Sequence, residues 1–225
     1  MTTTLITGAN KSLGLETARR LVEAGHTVYA GMRDLAAGDA ARTIGATPVQ
    51  LDVTDDSSVA AAIASLPELD VLVNNAGIVG GARTIDELTP EIMRATLETN
   101  VVGIVRVSQA ALPLLRASAN PVIVNVASGL GWPRFLLEHP DAEHVLAVPY
   151  PASKAAVITL TVQYARSLPT FRVNASDPGY TSTDLNGHTG HQTVTEGTDA
   201  TVMLAQLGAD GPTGEFHDRD GRIVY

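Results

Sequence analysis

The sequence contains no cysteine, which excludes disulfides, thiolate catalysis and cysteine-based metal sites. Aromatic residues make up only 4%, so a core has to be built mainly from Ala, Val, Leu and Ile. The formal net charge is −9 and no long basic run is present, so we expect no nucleic acid partner. No apolar segment has the length of a membrane span or of a signal peptide. We therefore expect a cytoplasmic protein that does not enter membranes.

What is present is the composition of a folded protein, with 44% hydrophobic and 17% charged residues. Short apolar runs alternate with segments of helical periodicity along the whole chain, and no linker, repeat or low-complexity block interrupts them. Such alternation is typical of α/β proteins. We predict that residues 1–225 form a single-domain Rossmann fold, in which a doubly wound parallel sheet of about seven strands carries helices on both faces.

A glycine-containing loop follows the first predicted strand, which includes Leu5 and Ile6. The loop runs from Thr7 to Gly14, and residues of helical periodicity follow it. In this arrangement the backbone can approach a pyrophosphate, which then lies at the N-terminus of the helix. A glycine loop alone is weak evidence, because any tight strand-to-helix turn favours glycine. A second strand over residues 27–33 strengthens the prediction of a dinucleotide site.

The end of that second strand indicates which dinucleotide binds. In NAD-binding proteins an acidic residue near this position holds the ribose hydroxyls. Here the position carries Met32, and Arg33 follows. A cation suits the 2′-phosphate of NADP, and Lys11 offers a second one, so we favour NADP(H) over NAD(H). The alternative is that Arg33 is a solvated charge that Asp34 neutralises.

Later strands also end in polar residues, at the sheet edge where ligands of open α/β proteins bind. Asp52, near the end of a strand over residues 48–53, is either an acceptor for an adenine amino group or a helix cap. The strand over residues 69–74 leads into Asn75, and that over 121–126 leads into Ser128. These side chains are candidates for lining a ligand cleft.

The segment 91–117 predicts a long helix that is apolar almost all round from Val101 onward, so we expect it to be buried in the core or against another subunit. Asn100 lies in its middle. Asn is a poor helix former, and this predicts a local irregularity.

Tyr150 and Lys154 are four residues apart, so on one helix their side chains share a face. An adjacent ammonium favours a phenolate, and we therefore expect Lys154 to lower the pKa of Tyr150 toward the range useful for acid–base catalysis. The alternative is a chance intrahelical pair.

Two segments are predicted to form a substrate pocket, residues 129–149 and 180–194. Large side chains after a strand end suit a pocket wall, although they also suit the packing of a long loop. The proposed wall residues are Trp132, Phe135, Leu136 and Tyr180, and His139 and His144 lie in the same region.

We expect no metal site. His188 and His191 have a spacing found in some ligand pairs, but they lie in a glycine-containing loop without a supporting motif. A hydrolytic role for Ser128 is also disfavoured, because the nucleophile-elbow pattern is missing.

With these residues assembled, the chain resembles the short-chain dehydrogenase/reductase family over essentially its whole length. The motifs occur in the family's order and are Thr7-Gly8 with Gly14, Asn74-Asn75-Ala76-Gly77, Asn100, Ser128, Tyr150 with Lys154, and Asp177-Pro178-Gly179. The Asn10-Lys11 pair together with Arg33 is similar to the carbonyl-reductase-like, NADP-preferring branch.

The resemblance implies hydride transfer between a nicotinamide and a carbonyl or secondary alcohol. Tyr150 would be the general acid or base, Lys154 would hold the nicotinamide ribose, Ser128 would bind the substrate oxygen, and Asn100 would hold a water that links Lys154 to solvent. The implied cofactor-binding residues are Gly8, Asn10, Lys11, Ser12, Leu13, Gly14, Arg33, Asp52, Val53, Asn75, Ala76, Gly77, Tyr150, Lys154, Pro178, Gly179 and Thr181.

Two departures from the family pattern bear on these expectations. Ser12 replaces the middle glycine of the loop, so the backbone has less room beside the phosphates. The segment between Ser128 and Tyr150 is longer than in most members, which leaves open a homo-oligomer through the helices 91–117 and 150–168 or a monomer. The competing function is a catalytically silent NADP(H)-binding sensor or regulatory protein; such relatives usually lose the Tyr or the Lys, and this chain keeps both.

Overall fold

The structure is a computed structural model that describes residues 1–140, 142 and 147–224. Part of the predicted pocket segment 129–149, including His144, lies outside the described residues. The strands are β1 (Thr3–Thr7), β2 (Thr27–Met32), β3 (Thr47–Gln50), β4 (Val71–Asn74), β5 (Val122–Val126), β6 (Arg172–Ser176), β7 (Phe216–Asp218) and β8 (Gly221–Ile223).

All of these strands form one sheet in the order β3-β2-β1-β4-β5-β6-β7-β8. Every neighbouring pair up to β7 is parallel, and β8 pairs antiparallel with β7. The order reverses between β1 and β4, which is the switch point where doubly wound sheets bind ligands. The predicted fold is confirmed. The antiparallel β8 is one strand more than the expected seven, and it forms because a turn at Asp218 returns the chain onto the open sheet edge.

The helices are α1 (Ser12–Glu23), α2 (Asp39–Thr43), α3 (Asp56–Ala64), α4 (Pro90–Leu97), α5 (Gly103–Ala117), α6 (Pro133–Glu138), α7 (Pro149–Ser167), α8 (Val194–Gly197) and α9 (Asp199–Ala205). None of the helices within the described ranges has both the length and the apolar character needed to cross a membrane.

Alternate residues of each central strand point to opposite faces of the sheet, and each face is covered by its own helices. Leu5, Leu72 and Ile123 pack in a core with α3, α5 and α7. Ile6 and Val73 pack on the other face with α1, α2 and α9. Because both faces are buried, the central strands are rich in apolar residues. The polar side chains among them find partners inside the sheet layer, as Asn74 does by donating to Asn125 Oδ1.

The long helix predicted over 91–117 is interrupted where Asn100 predicted an irregularity. Residues Glu98–Val102 form a π-helical turn between α4 and α5. Asn100 is buried in that turn, and its side-chain amide bonds to the backbone of Ile78 instead of lying along the helix. That prediction is confirmed.

The segment between β2 and β3 changes helix type along its length. A 3-10 turn at Leu35–Gly38 precedes the short α2. Asp34 caps the turn by accepting the N–H of Ala36, and Gly38 lies directly against Pro48 of β3. The close approach to β3 explains why the chain changes helix type at Gly38.

Candidate active site

The polar residues singled out from the sequence follow the carboxyl ends of neighbouring strands, so the parallel sheet brings them to one edge. Gly8 follows β1, Arg33 follows β2, Asn75 follows β4, Ser128 follows β5 and Asp177 follows β6. This edge includes the switch point between β1 and β4.

The glycine loop is held tightly against the loop after β4. Gly8 has φ +65°, and a Cβ there would lie 3.0 Å from the Cα of Ala76. A Cβ on Gly14 would lie 2.4 Å from the Gly8 carbonyl oxygen and 2.6 Å from Asn75 Nδ2. Asn75 Nδ2 donates to the carbonyls of Thr7 and Gly8, at 2.8 and 3.1 Å. Only glycine allows this approach of backbone to backbone.

Helix α1 begins at Ser12, whose φ is +53°, in the left-handed region. Lys11 is the N-cap, and among the described residues its side chain makes no capping bond to the first turn. That turn, residues 12–15, contains neither Asp nor Glu. An anion at this end of the helix would therefore meet N–H donors of the first turn and no carboxylate from that turn. Asn10 and Leu13 lie half-buried beside the same turn.

The two cations expected near a 2′-phosphate differ in their surroundings. Arg33 is exposed just beyond β2, and the neighbouring Asp34 carboxylate accepts the Ala36 N–H. The Lys11 ammonium instead pairs with the Asp184 carboxylate at 2.6 Å, and Asp184 also contacts His188 Nε2 at 2.9 Å. The loop after β6 therefore reaches back to the glycine loop.

Asp52 and Val53 lie beyond β3 at the same edge. The Asp52 carboxylate accepts the backbone N–H and the hydroxyl of Thr54, at 2.9 and 2.7 Å, so in this structure it shapes the turn before α3. Val53 is buried, and its carbonyl accepts from Arg106 at 2.6 Å.

Tyr150 and Lys154 both lie on α7 and their side chains meet, as their spacing predicts. The Lys154 ammonium is 5.4 Å from the centroid of the Tyr150 ring and donates to the Val126 carbonyl at 2.7 Å. Lys154 is only 4% exposed. Burial lowers the pKa of Lys154 to about 8, against the nearby Asp177 carboxylate, which raises it.

The pKa of Tyr150 is shifted in the direction opposite to the prediction. Burial raises the pKa of the Tyr150 phenol above its ordinary value, the Asp177 carboxylate raises it further, and a hydrogen bond with Ser128 acts in the opposite sense. The largest influences on the pKa of Tyr150 are burial and the Asp177 carboxylate, whereas the Lys154 ammonium donates to Val126 from a position over the ring. The sequence spacing predicted the pairing of the two side chains and not the net electrostatics.

Asn100 connects the π-helical turn to α7. Its Oδ1 accepts the Ile78 N–H at 2.8 Å, and its Nδ2 donates to the Ile78 carbonyl at 2.8 Å and to Ser153 Oγ at 2.9 Å. A Cβ on Gly77 would lie 3.3 Å from Asn100 Oδ1 and 3.7 Å from Lys154 Nζ. Asn100, Gly77 and Lys154 therefore form one wall of the cleft, and Ser153 is a member that the sequence did not single out.

The residues after β6 form a loop at the same sheet edge. Gly179 has φ +65°, and a Cβ there would lie 2.4 Å from Gln192 Oε1. The buried Thr181 donates to the Pro178 carbonyl at 2.7 Å. Tyr180 lies edge-on to His191, with the ring centroids 5.8 Å apart, and its hydroxyl is 2.6 Å from Thr189 Oγ1.

The predicted wall residues of segment 129–149 differ in burial, since Trp132 and Phe135 are half-buried and Leu136 is exposed. Phe135 stacks on His139 with ring centroids 4.1 Å apart, and its ring lies 3.1 Å from where a Cβ on Gly129 would be, next to Ser128. Trp132 is half-buried, with the Arg134 guanidinium 5.9 Å from the centroid of its ring. Leu136 is 41% exposed.

Asp177 is the residue of this region whose importance the sequence did not reveal. It was part of a motif, yet the structure makes it a buried carboxylate between the loops that carry Ser128 and Gly179. The signal available in the sequence was an acidic residue directly after an apolar strand that ends at the ligand-binding edge. Among the described residues, no group of three or more His, Asp or Glu is placed to hold a metal ion.

The fold and this sheet edge define a Rossmann-type oxidoreductase of the α/β class. A family model described as short chain dehydrogenase matches residues 2–193, and the chain therefore belongs to the short-chain dehydrogenases, oxidoreductases that bind a nicotinamide cofactor.

Individual proteins show the same likeness. The chain is 31% identical to (−)-isopiperitenone reductase of Mentha piperita, over 98% of this chain and 97% of the relative. It superimposes with a TM-score of 0.82 on a gluconate 5-dehydrogenase from Burkholderia cenocepacia in complex with NADP and tartrate, at 28% identity over 97% of this chain and 94% of the other. A 3-ketoacyl-(acyl-carrier-protein) reductase from Brucella melitensis complexed with NADH gives a TM-score of 0.84 at 27% identity, over 96% of each chain.

Proposed function

We propose that the protein transfers hydride between NADP(H) and a carbonyl or secondary alcohol substrate, with Tyr150 as general acid and base. The observation that carries the proposal is the meeting of Ser128, Tyr150 and Lys154 at the edge of the sheet that also carries the glycine loop. The name of the Mentha relative, a reductase, supports the reaction type.

The residues at this edge fit a dinucleotide. Gly8 and Gly14 lie so close to Asn75 and Ala76 that a side chain at either position would clash. The first turn of α1 has backbone N–H donors and no acidic residue, which suits a pyrophosphate. We propose that the cofactor is held by Gly8, Asn10, Lys11, Ser12, Leu13, Gly14, Arg33, Asp52, Val53, Asn75, Ala76, Gly77, Tyr150, Lys154, Pro178, Gly179 and Thr181. When bound, the nicotinamide supplies or accepts the hydride.

The preference for NADP(H) rests on charge. Arg33 lies exposed beyond β2, where NAD-binding relatives of this fold type carry an acidic residue. The NADP complex of the Burkholderia relative supports this choice, whereas the Brucella relative binds NADH with the same fold. Since both cofactors occur on this fold, we base the preference for NADP(H) on the cations Lys11 and Arg33.

In the proposed reduction, the Tyr150 hydroxyl gives its proton to the substrate oxygen as hydride adds to the carbonyl carbon. The products are an alcohol and a phenolate, which regains a proton from solvent. Ser128 would hold the substrate oxygen beside Tyr150, and Lys154 would hold the nicotinamide ribose. The contact of Asn100 with the Gly77 and Lys154 wall supports its role in positioning a water that resupplies protons to Lys154. Burial and the Asp177 carboxylate favour the protonated phenol of Tyr150, which is the form that donates the proton.

We further propose that residues 1–225 act as one domain and that segments 129–149 and 180–194 form the substrate pocket. Phe135 and Tyr180 contribute its described walls, with Trp132 behind and Leu136 at the mouth. Helices α4, α5 and α7 are the proposed surface for association of copies of this chain.

The test compares Tyr150→Phe with Tyr164→Phe over a panel of ketones and aldehydes. We expect Tyr150→Phe to bind NADPH normally and to lose about 10²- to 10⁴-fold in kcat, the contribution typical of a general acid. Tyr164 lies on the same helix and its hydroxyl accepts from Gln109, so Tyr164→Phe is a matched control that should keep turnover. NADPH binding by the wild type without turnover of any substrate would favour the sensor instead. Wild-type rates in Tyr150→Phe would remove the proposed acid.

A further inference from the structure

Arg106 on α5 is a largely buried charge that the hydride-transfer roles proposed above do not use. Its side chain is 17% exposed. Nη1 donates to the Val53 carbonyl at 2.6 Å, Nη2 donates to Glu98 Oε1 at 2.7 Å, and Nε donates to the Asp56 carboxylate. The N–H groups of a guanidinium form a rigid planar fork, so these acceptors together hold the side chain in one orientation. The guanidinium in turn holds the segments that supply the acceptors.

The acceptors come from different parts of the proposed cofactor cleft. Val53 lies in the loop after β3, and Asp56 begins α3 just beyond it. Glu98 begins the π-helical turn that contains Asn100. Four strand spacings, roughly 19 Å, separate β3 from β5, the strand that leads to Ser128. A dinucleotide whose nicotinamide lies at Ser128 would therefore extend its adenine toward the loop after β3, next to Val53.

The first turn of α5 packs directly on that loop. Gly103 lies three residues before Arg106, so both residues share a face of the helix. A Cβ on Gly103 would lie 3.0 Å from Val53 Cγ2 and 3.3 Å from the Val53 carbonyl oxygen. Val53 itself is 7% exposed. The packing of Gly103 and the hydrogen bond from Arg106 thus fix the side chain and the carbonyl of Val53, and with them the course of the loop.

We propose that Arg106 is a positioning residue for the adenine end of the cofactor cleft, because it holds the Val53 carbonyl and thereby keeps the loop after β3 in the conformation that receives the adenine. The inference rests on the proposed function, which includes Asp52 and Val53 among the cofactor-binding residues. A loop that is already ordered loses less conformational entropy when a ligand binds, so Arg106 strengthens binding without touching the cofactor.

This role predicts a particular pattern of effects. The adenine is common to NADP(H) and NAD(H), so loss of Arg106 should weaken both cofactors by the same factor. Loss of Arg33 should instead weaken NADPH more than NADH. Binding energy that is equal in the ground state and the transition state does not contribute to kcat, so kcat at saturating cofactor should change little.

The test is Arg106→Met, which keeps a side chain of similar length and removes every N–H donor. Titration calorimetry should show the Kd of NADPH and that of NADH each raised about tenfold, as expected for the loss of a hydrogen bond from a charged group. Arg116→Met is the matched control, since Arg116 is exposed at the far end of the same helix, and both affinities should stay at the wild-type values. Unchanged affinities in Arg106→Met would overturn the inference, as would a loss confined to one cofactor.

Two further variants separate the Val53 contact from the ion pairs. Arg106→Lys keeps the charge and the apolar stem, but an ammonium cannot hold the three acceptors at once, so both affinities should still fall. It decides the question if Arg106→Met does not fold by circular dichroism. Glu98→Gln keeps the guanidinium on Val53 and removes the charge at the π-helical turn, so both affinities should stay near the wild-type values. A Glu98→Gln variant as weak as Arg106→Met would overturn the role of the Val53 contact.

The outcome for the proposed function can be distinguished from the outcome for Arg106. If the wild type binds both dinucleotides and turns over no carbonyl compound, the proposed reaction fails on its own, and the two affinities still decide whether Arg106 acts on the adenine end. A wild type that binds neither NADPH nor NADH would overturn the proposed function and this inference together.

Discussion

At the scale of single residues, the sequence showed that Ser12 departs from the family pattern, but it did not show which backbone conformation Ser12 adopts. The resemblance placed Ser12 where the family has glycine, and we expected less room beside the phosphates. The structure locates the difference in the backbone, with φ +53° at the residue that begins α1. For a residue with a Cβ this conformation costs roughly 1–2 kcal/mol.

Ser12→Gly should therefore stabilise the protein by about 1 kcal/mol, because glycine adopts positive φ without that cost. For a chain of this size the melting temperature should rise by about 2–4 °C. The control is Ser57→Gly, the same substitution on the exposed face of α3, where glycine should lower stability by several tenths of a kcal/mol. Thermal unfolding by circular dichroism measures both. A lower melting temperature in Ser12→Gly would show that the serine hydroxyl contributes more than the backbone conformation costs.

The residue scale also marks a limit of prediction. The four-residue spacing of Tyr150 and Lys154 predicted that their side chains share a face of α7, because this depends only on helix geometry. The sign of the Tyr150 pKa shift depends on burial and on Asp177, which reaches the site from a different strand. No local pattern carries that information.

At the scale of elements, polar residues inside apolar segments were the most informative. Asn100 predicted an irregularity, and a π-helical turn lies there because its amide bonds to the Ile78 backbone. The loop after β6 was predicted only as part of a substrate pocket, residues 180–194. Its contact with the glycine loop through Asp184 and Lys11 joins residues far apart in sequence, so neither segment indicated it alone.

Asp184→Asn tests what that contact does for the proposed NADPH site. The Lys11–Asp184 pair is exposed, so it contributes little to stability, and its loss frees the Lys11 ammonium for a 2′-phosphate. We expect NADPH to bind up to about fivefold more tightly and NADH affinity to stay nearly unchanged. Arg33→Ala should act in the opposite sense and weaken NADPH more than NADH. Titration calorimetry measures these affinities. Equal changes for both cofactors would contradict the proposed contacts of Lys11 and Arg33 with the 2′-phosphate.

At the scale of the whole molecule, the parallel sheet with helices on both faces followed from the alternation of apolar runs and helical periodicity, whereas the order of the strands came from the structure. The antiparallel β8 was not predicted, because Gly221–Ile223 is too short for its pattern to be distinguished from a tail. Which surfaces meet other copies of the chain also lies beyond a single sequence, since a buried apolar helix and an interface helix have the same pattern.

The surface of α5 and α7 provides the last prediction. Val102, in the turn leading into α5, is 40% exposed, and Ala152 and Thr159 are exposed on α7. We expect the chain to form a dimer or larger homo-oligomer through this surface. In a twofold interface a substitution occurs on both subunits, and Val102→Glu would bring like charges together at a cost of several kcal/mol. Met203→Glu on α9, at 42% exposure on the opposite face, is the matched control. Light scattering after size exclusion should show a smaller particle for Val102→Glu and an unchanged one for Met203→Glu, whereas a monomeric wild type would exclude this assembly.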